Sequence, residues 1–301
     1  MDLAELASFA ADSPPRVGVV GGPTEGNVEL VHGLRRFGAN VALVEPFAAR
    51  DVLERGDVAL VRLDVLPTLD GVEPGLETLA HLQLAGIRLL NRPEALLRAH
   101  DKLLTACVLA RAGFPHPATE HLLDPAAPLG LEPPVVLKPR FGSWGKDVFR
   151  CETRDAVSRR LLELADRGWF RAQGVLVQEL VPAEARDLRI VVAGGRVVGA
   201  IERIASRGEW RTNVSVGATR RPVSPGLDER RLAVAAAEVL GLDLVGVDLL
   251  RGPRGYVVIE LNGAVDFDAG YSLPGRDAYR ELGAALGLEG TLSRTRCRAR
   301  A

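Results

Sequence analysis

Residues 242–262 read LDLVGVDLLRGPRGYVVIELN, two apolar runs either side of Gly252-Pro253-Arg254-Gly255. Runs this rich in Val, Leu and Ile, flanking a short break with Gly and Pro, read as the two strands of a hairpin. Side chains alternate between faces along a strand, so Val258, Glu260 and Asn262 are expected on one face. A hairpin folded about Arg254 sets Asp248 opposite Glu260, where cross-strand side chains touch. Two carboxylates and an amide then converge, and the carboxylates repel unless a cation sits between them. Hard oxygen donors of this kind suit magnesium, which keeps several waters and also binds phosphate oxygens. A hairpin with a solvated acidic face is the plainer reading of the same residues.

Working upstream, residues 135–150 read VVLKPRFGSWGKDVFR, a strand ending in Lys138, a turn over Gly142, Ser143, Trp144 and Gly145, and a second strand. Glycine lets backbone N–H groups approach phosphate oxygens, and a nearby lysine adds a point charge. The loop is not of the Walker type, because Asp147 follows Gly145-Lys146 where a Ser or Thr would hold a metal. A glycine turn with surface lysines is the alternative.

Together these segments resemble the ATP-grasp ligases, and within them the RimK-like ribosomal-protein glutamate ligases and the LysX-type carrier-protein ligases. The resemblance runs from about Asn91 to about Leu286. It is carried by NRPEALLRAHDKLLTACVLARAGFPHP, VVLKPRFGSWGKDV, VLVQELVPAEARDLRIVVAGGRVVGAIER, EWRTNVSVGA, and LVGVDLL with VVIELNGAVDF, in the family's order.

The resemblance implies an α/β chain with α+β lobes: an ATP-grasp fold behind a Rossmann-like N-terminal domain. The expected divisions are 1–92 for that domain, 93–176 for a central lid, 177–290 for a C-terminal domain with the metal site, and 291–301 for a disordered basic tail. Lys102 and Lys138 are expected at nucleotide phosphates under the Gly142–Gly145 loop. Gln178, Glu179, Leu180 and Val181 are expected at the adenine, and Asp187, with Arg189 beside it, at the ribose. Asp187 and Arg189 are two apart on one strand, so a local salt-bridged pair is an alternative. Arg203, Arg211 and Asn213 are expected to contact the transferred phosphate and substrate carboxylates, with magnesium, or manganese in its place, on Asp248, Glu260 and Asn262. The implied reaction is ATP-driven amide formation through an acyl phosphate, adding glutamate or another amino acid to the carboxylate of a protein C-terminus, carrier protein, peptide or cofactor tail. A homo-oligomer is expected. A nucleotide-binding regulatory module without catalysis is the alternative from another class.

Composition agrees. A chain of 301 residues, 47% hydrophobic, can bury a large core over two or three lobes. A net charge of −1 offers no electrostatic case for nucleic acid. Cys107, Cys151 and Cys297 are odd in number and far apart, which argues against a disulfide framework and for a reducing cytoplasm. The start lacks a signal peptide's basic and apolar regions, and no apolar run reaches membrane-spanning length.

The N-terminal region opens as strand, turn, helix, strand. Its glycines at 21, 22 and 26 do not fit the dinucleotide spacing. Further on, a helix is expected over 101–112 with Lys102 in its first turn, another over 155–166, and a hairpin turning at Ala193-Gly194-Gly195.

Overall fold

The computed structural model describes residues 3–10 and 15–288. The expected basic tail, with Cys297, lies outside them. A short helix α1 (Leu3–Leu6) precedes a parallel sheet in the order β2-β1-β3-β4, made of β1 (Val17–Val20), β2 (Val41–Val44), β3 (Val58–Val61) and β4 (Arg88–Leu90). The runs VGVV, VALV and VALV are buried at every position, as parallel strands covered on both faces must be. Helices α2 (Glu25–Arg36), α3 (Ala49–Val52) and α4 (Leu76–Leu84) complete this lobe.

Two helices follow, α5 (Pro93–His100) and α6 (Lys102–Arg111). Asp101 caps α6, accepting from the N–H groups of Leu103 and Leu104, and so places Lys102 at the first helical position. The central lobe is an antiparallel sheet in the order β5-β8-β6-β7, from β5 (Thr119–Leu122), β6 (Val135–Pro139), β7 (Phe149–Cys151) and β8 (Val175–Glu179). It is backed by α7 (Arg154–Leu164) and α8 (Gly168–Gln173). Sequence periodicity shows one helix here; the second exists because Trp169 and Phe170 turn back into the core beside Leu161 and Val177.

The C-terminal sheet is antiparallel in the order β11-β10-β9-β12-β13. Its strands are β9 (Arg186–Ala193), β10 (Arg196–Ile204), β11 (Thr219–Pro222), β12 (Leu244–Gly252) and β13 (Gly255–Asn262), with helices α9 (Leu227–Leu240) and α10 (Ala278–Leu286). Gly194 and Gly195 turn the β9–β10 hairpin with φ of 51° and 71°, the left-handed pair that a two-residue turn needs. Helix α10 packs on α2, so Tyr279 and Leu282 share a core with Leu30 and Leu34 of the first lobe.

Two expected divisions move. The boundary at 176/177 would cut β8, which is an inner strand bonded to both β5 and β6, so the central sheet runs on to Glu179. Helices α5 and α6 do not belong to the lid: Ala95, Ala99 and Leu109 are buried with Ile190, Val247 and Leu261 of the C-terminal sheet. An amphipathic helix shows in its sequence that it must bury a face, not which of two neighbouring sheets receives it.

Candidate active site

Asp248 does pair with Glu260, by a different route from the one expected. The hairpin closes on Gly252↔Gly255, a register that alone would set Asp248 against Ile259. The ladder shifts between Asp248 and Leu249, so Ile259 is the extra residue of a β-bulge. One consequence corrects the alternation expected for β13. Val258 pairs with Leu249 and is buried in the core with it, whereas Ile259 and Glu260 both line the cavity on the opposite face.

Register also assembles a row of charges across the sheet. Arg203 on β10 faces Asp187 on β9, and Arg189 on β9 faces Asp248 on β12. Arg203 donates through Nε (2.7 Å) and Nη2 to Asp187, and through Nη2 to Asp248 Oδ2 at 2.8 Å. Arg189 grips Asp248 with two bonds of 2.7 Å. The local Asp187–Arg189 pair does not form, because opposite residues on adjacent strands are nearer than residues two apart along one strand. Burial works against the charge on Asp248, but Arg189 and Arg203 hold its carboxyl well below the usual range. Burial and Arg189 press against the charge on Arg203, and Asp248 and Asp187 outweigh them.

The expected repulsion between Asp248 and Glu260 is therefore relieved by the protein's own cations. Lys102 Nζ lies 3.4 Å from Glu260 Oε2 and also donates to the carbonyl of Gly142. Lys138 is 6% exposed, and its Nζ donates to Gln178 Oε1 at 2.8 Å. Burial lowers its pKa to about 8, with Lys102 pushing the same way and Glu260 opposing.

A cavity of about 650 Å³ lies between the central and C-terminal lobes. Lys102, Lys138, Gly142, Ser143, Trp144, Gly145, Gln178, Glu179, Leu180, Val181, Asp187, Arg203, Arg211, Asn213, Asp248 and Glu260 all line it. Arg189 and Asn262 do not; Arg189 lies pinned to Asp248, with Glu260 Oε1 4.0 Å away. Val136, Leu250 and Ile259 add apolar wall that a charge-centred reading of the sequence overlooks. Beside them the N–H of Glu179 is taken by Ala118 and that of Leu180 by Pro134. The N–H of Val181 has no partner among the described residues.

Three expected roles look different in place. Asp187 lines the cavity, but its carboxylate already accepts from Arg203 and, at 2.6 Å, from Thr212. Arg211 is bound to Glu209 and donates to the carbonyl of Gly145 at 3.1 Å. Asn213 packs against Gly145, where an added Cβ would come within 2.6 Å of its Oδ1. Arg211 and Asn213 thus clasp the glycine loop across the cleft.

The oxygen donors fit a hard divalent cation. Glu260 has one oxygen 3.4 Å from Lys102 and the other 4.0 Å from Arg189, both beyond ordinary hydrogen-bond length. Asp248 Oδ1 takes one arginine donor, which leaves a lone pair. Asn262 directs its Nδ2 toward Gly246 O and Asp248 Oδ2 at 3.5 Å, so its amide oxygen is available. His116 and Thr119, not singled out in the sequence, lie behind Lys138 in contact with Gln178.

The family model of the RimK-like ATP-grasp domain matches residues 99–282. A probable alpha-L-glutamate ligase of Serratia proteamaculans (strain 568) is 38% identical over 232 residues, covering 75% of this chain and 74% of that protein. One from Alkalilimnicola ehrlichii is 31% identical over 289 residues, covering 90% of this chain and 94% of that one. Among solved structures, the ATP-grasp ligase PsnB complexed with minimal precursor, Mg and ADP superposes with a TM-score of 0.65 at 20% identity, covering 91% of this chain and 98% of that one. With a family model matched over most of its length and a relative aligned almost end to end, the chain belongs to the RimK-like ATP-grasp family and is an ATP-dependent ligase.

Proposed function

We propose that this ligase uses ATP and magnesium to join an amino acid, glutamate first among candidates, to the carboxylate of a peptide, protein, carrier-protein or cofactor acceptor. The observation that carries this reading is the meeting, at one cavity wall, of Lys102, Lys138 and Arg203 with the oxygens of Asp248 and Glu260. Lys138 keeps two ammonium N–H groups, and Arg203 keeps its Nη1, without partners among the described residues. Cations lining a cleft between two lobes suit a transferring phosphoryl group, where catalysis is mainly positioning and charge neutralisation. The relatives are named as glutamate ligases, and the PsnB complex holds Mg and ADP, which supports the same choice of ligands.

An acceptor carboxylate oxygen attacks the γ-phosphorus, and the bond to the bridging oxygen breaks with its electron pair leaving on ADP. Lys102, Lys138 and Arg203 spread the charge that develops on the transferring group. The amine nitrogen then adds to the acyl carbon; the carbon–oxygen bond to phosphate breaks, phosphate leaves with the pair, and the amine loses its proton. Magnesium held by Glu260, Asn262 and the free lone pair of Asp248 would supply Lewis-acid neutralisation of phosphate oxygens. Gly142 to Gly145, held down by Arg211 and Ser215, excludes the water that would hydrolyse an acyl phosphate.

The test is a screen of amino acids against acidic acceptors with magnesium-ATP, reading nucleotide products and product mass. We expect ADP and inorganic phosphate released in step with amide, and a mass gain of one or more amino-acid residues. Stoichiometric AMP and pyrophosphate accompanying the amide would overturn the acyl-phosphate route.

A further inference from the structure

Behind Lys138 runs a chain of hydrogen bonds in which every direction is set by chemistry. Lys138 can only donate, so the Gln178 atom 2.8 Å from its Nζ is the amide oxygen. The Gln178 amide nitrogen then faces Thr119 Oγ1 at 2.8 Å and His116 Nε2 at 3.4 Å. Thr119 has two acceptors within reach of its one proton, the carbonyl of Pro117 at 3.0 Å and His116 Nε2 at 3.5 Å, and with either its oxygen is left to accept from Gln178. His116 Nδ1 lies 2.8 Å from the carbonyl of Val258, an acceptor only, so Nδ1 carries the proton and Nε2 offers a lone pair. Burial lowers the His116 pKa to about 4, which keeps the ring in that neutral form.

Neither Thr119 nor His116 lines the cavity. We propose that they are positioning residues for the nucleotide site: together they fix the Gln178 amide with its oxygen toward the cleft, and that oxygen aims the Lys138 ammonium. This rests on the phosphate role proposed above for Lys138. Freed from its two acceptors, the amide can rotate and present N–H groups to the ammonium, two donors facing each other. The relay also ties Lys138 to the carbonyl of the residue preceding the Ile259 bulge, linking the lysine of one lobe to the strand that carries Glu260.

The test uses the full chain and magnesium with the non-hydrolysable analogue AMPPNP, whose Kd is read by calorimetry and so needs no acceptor. Thr119→Val, nearly the same shape without the hydroxyl, is expected to raise Kd about fivefold, the worth of one hydrogen bond, while Thr119→Ser restores it. In a Lys138→Ala background Thr119→Val should add less than about twofold, because the group it positions is gone. His116→Asn, whose amide nitrogen can still donate to Val258 but whose shorter side chain puts no acceptor at the position of Nε2, should repeat both results and serves if Thr119→Val does not fold. Parental affinity in Thr119→Val and His116→Asn alongside a weakened Lys138→Ala overturns the relay alone. A full additional loss in the Lys138→Ala background also overturns it, since Thr119 then acts elsewhere. Parental affinity in Lys138→Ala overturns the phosphate reading, and the relay with it.

Discussion

The floor and the roof of the cavity are built on opposite plans. The floor is the charge row on β9, β10 and β12, where Asp187, Arg203 and Asp248 are all buried and hold one another through several bonds each. The roof is the loop from Gly142 to Gly145, where Trp144 is 51% exposed and sits at a φ of 61°. Its ties to the opposite lobe are Lys102 on the Gly142 carbonyl, Arg211 on the Gly145 carbonyl, Ser215 on the Trp144 carbonyl at 2.6 Å, and the contact with Asn213. A buried network whose members hold one another in place costs little rearrangement when charge develops in front of it. A loop held by a few part-exposed contacts can open to exchange ligands and close to exclude water. Substitutions in the floor should therefore act on stability and chemistry together, and those in the roof on binding with little effect on stability.

The sharpest break of that contrast is Asp248→Asn, which leaves Arg189 and Arg203 against a neutral amide. We expect a loss of about 3–5 kcal/mol in urea unfolding, together with turnover, because Arg189 stays buried without its carboxylate and Arg203 keeps only Asp187. Parental stability would show that the floor relaxes around the loss and is not preorganised. Glu260→Gln separates the two effects, since Glu260 lies at the rim of the network. Turnover should fall about a hundredfold or more, while stability changes by no more than about 1 kcal/mol, the ordinary worth of a part-exposed pair such as that with Lys102. A large stability change would place Glu260 inside the floor.

Lys138 sharpens the comparison through pH. Its pKa lies near 8, against 10.5 for an ordinary lysine. If the nucleotide needs the protonated form, its Kd should rise about tenfold from neutral pH to about pH 9. Without nucleotide the sign reverses for stability: between about 8 and 10.5 the unfolded chain keeps a proton that the folded one has lost, so the free protein gains stability as pH rises. Titrating AMPPNP binding and the melting temperature across that window checks both, and Lys138→Arg should remove both trends. The smallest effect is expected in the roof. Arg211→Ala should weaken AMPPNP binding only a few-fold and alter stability by less than about 0.5 kcal/mol, while speeding deuterium uptake at the glycine loop. Unfolding at markedly lower denaturant would mean that the roof is structural after all.

Local patterns were enough for much of this molecule. The apolar runs of β1 to β3, the Asp101 cap that begins α6, the Gly194-Gly195 turn and the glycine loop each follow from residues within a few positions of one another, because alternation, capping and turn geometry are short-range effects. The order of the motifs likewise pointed to the family without reference to space. What tertiary structure decided is which distant residue faces which. Ile259 is indistinguishable in sequence from its neighbours, yet as the bulge residue it turns Val258 into the core and Glu260 into the cavity. Arg203 meets Asp187 and Asp248 only through the register of three strands, and His116 reaches Gln178 from a loop some sixty positions away. Register across strands and packing between lobes are settled by burial summed over the whole chain, so no short window of sequence contains them.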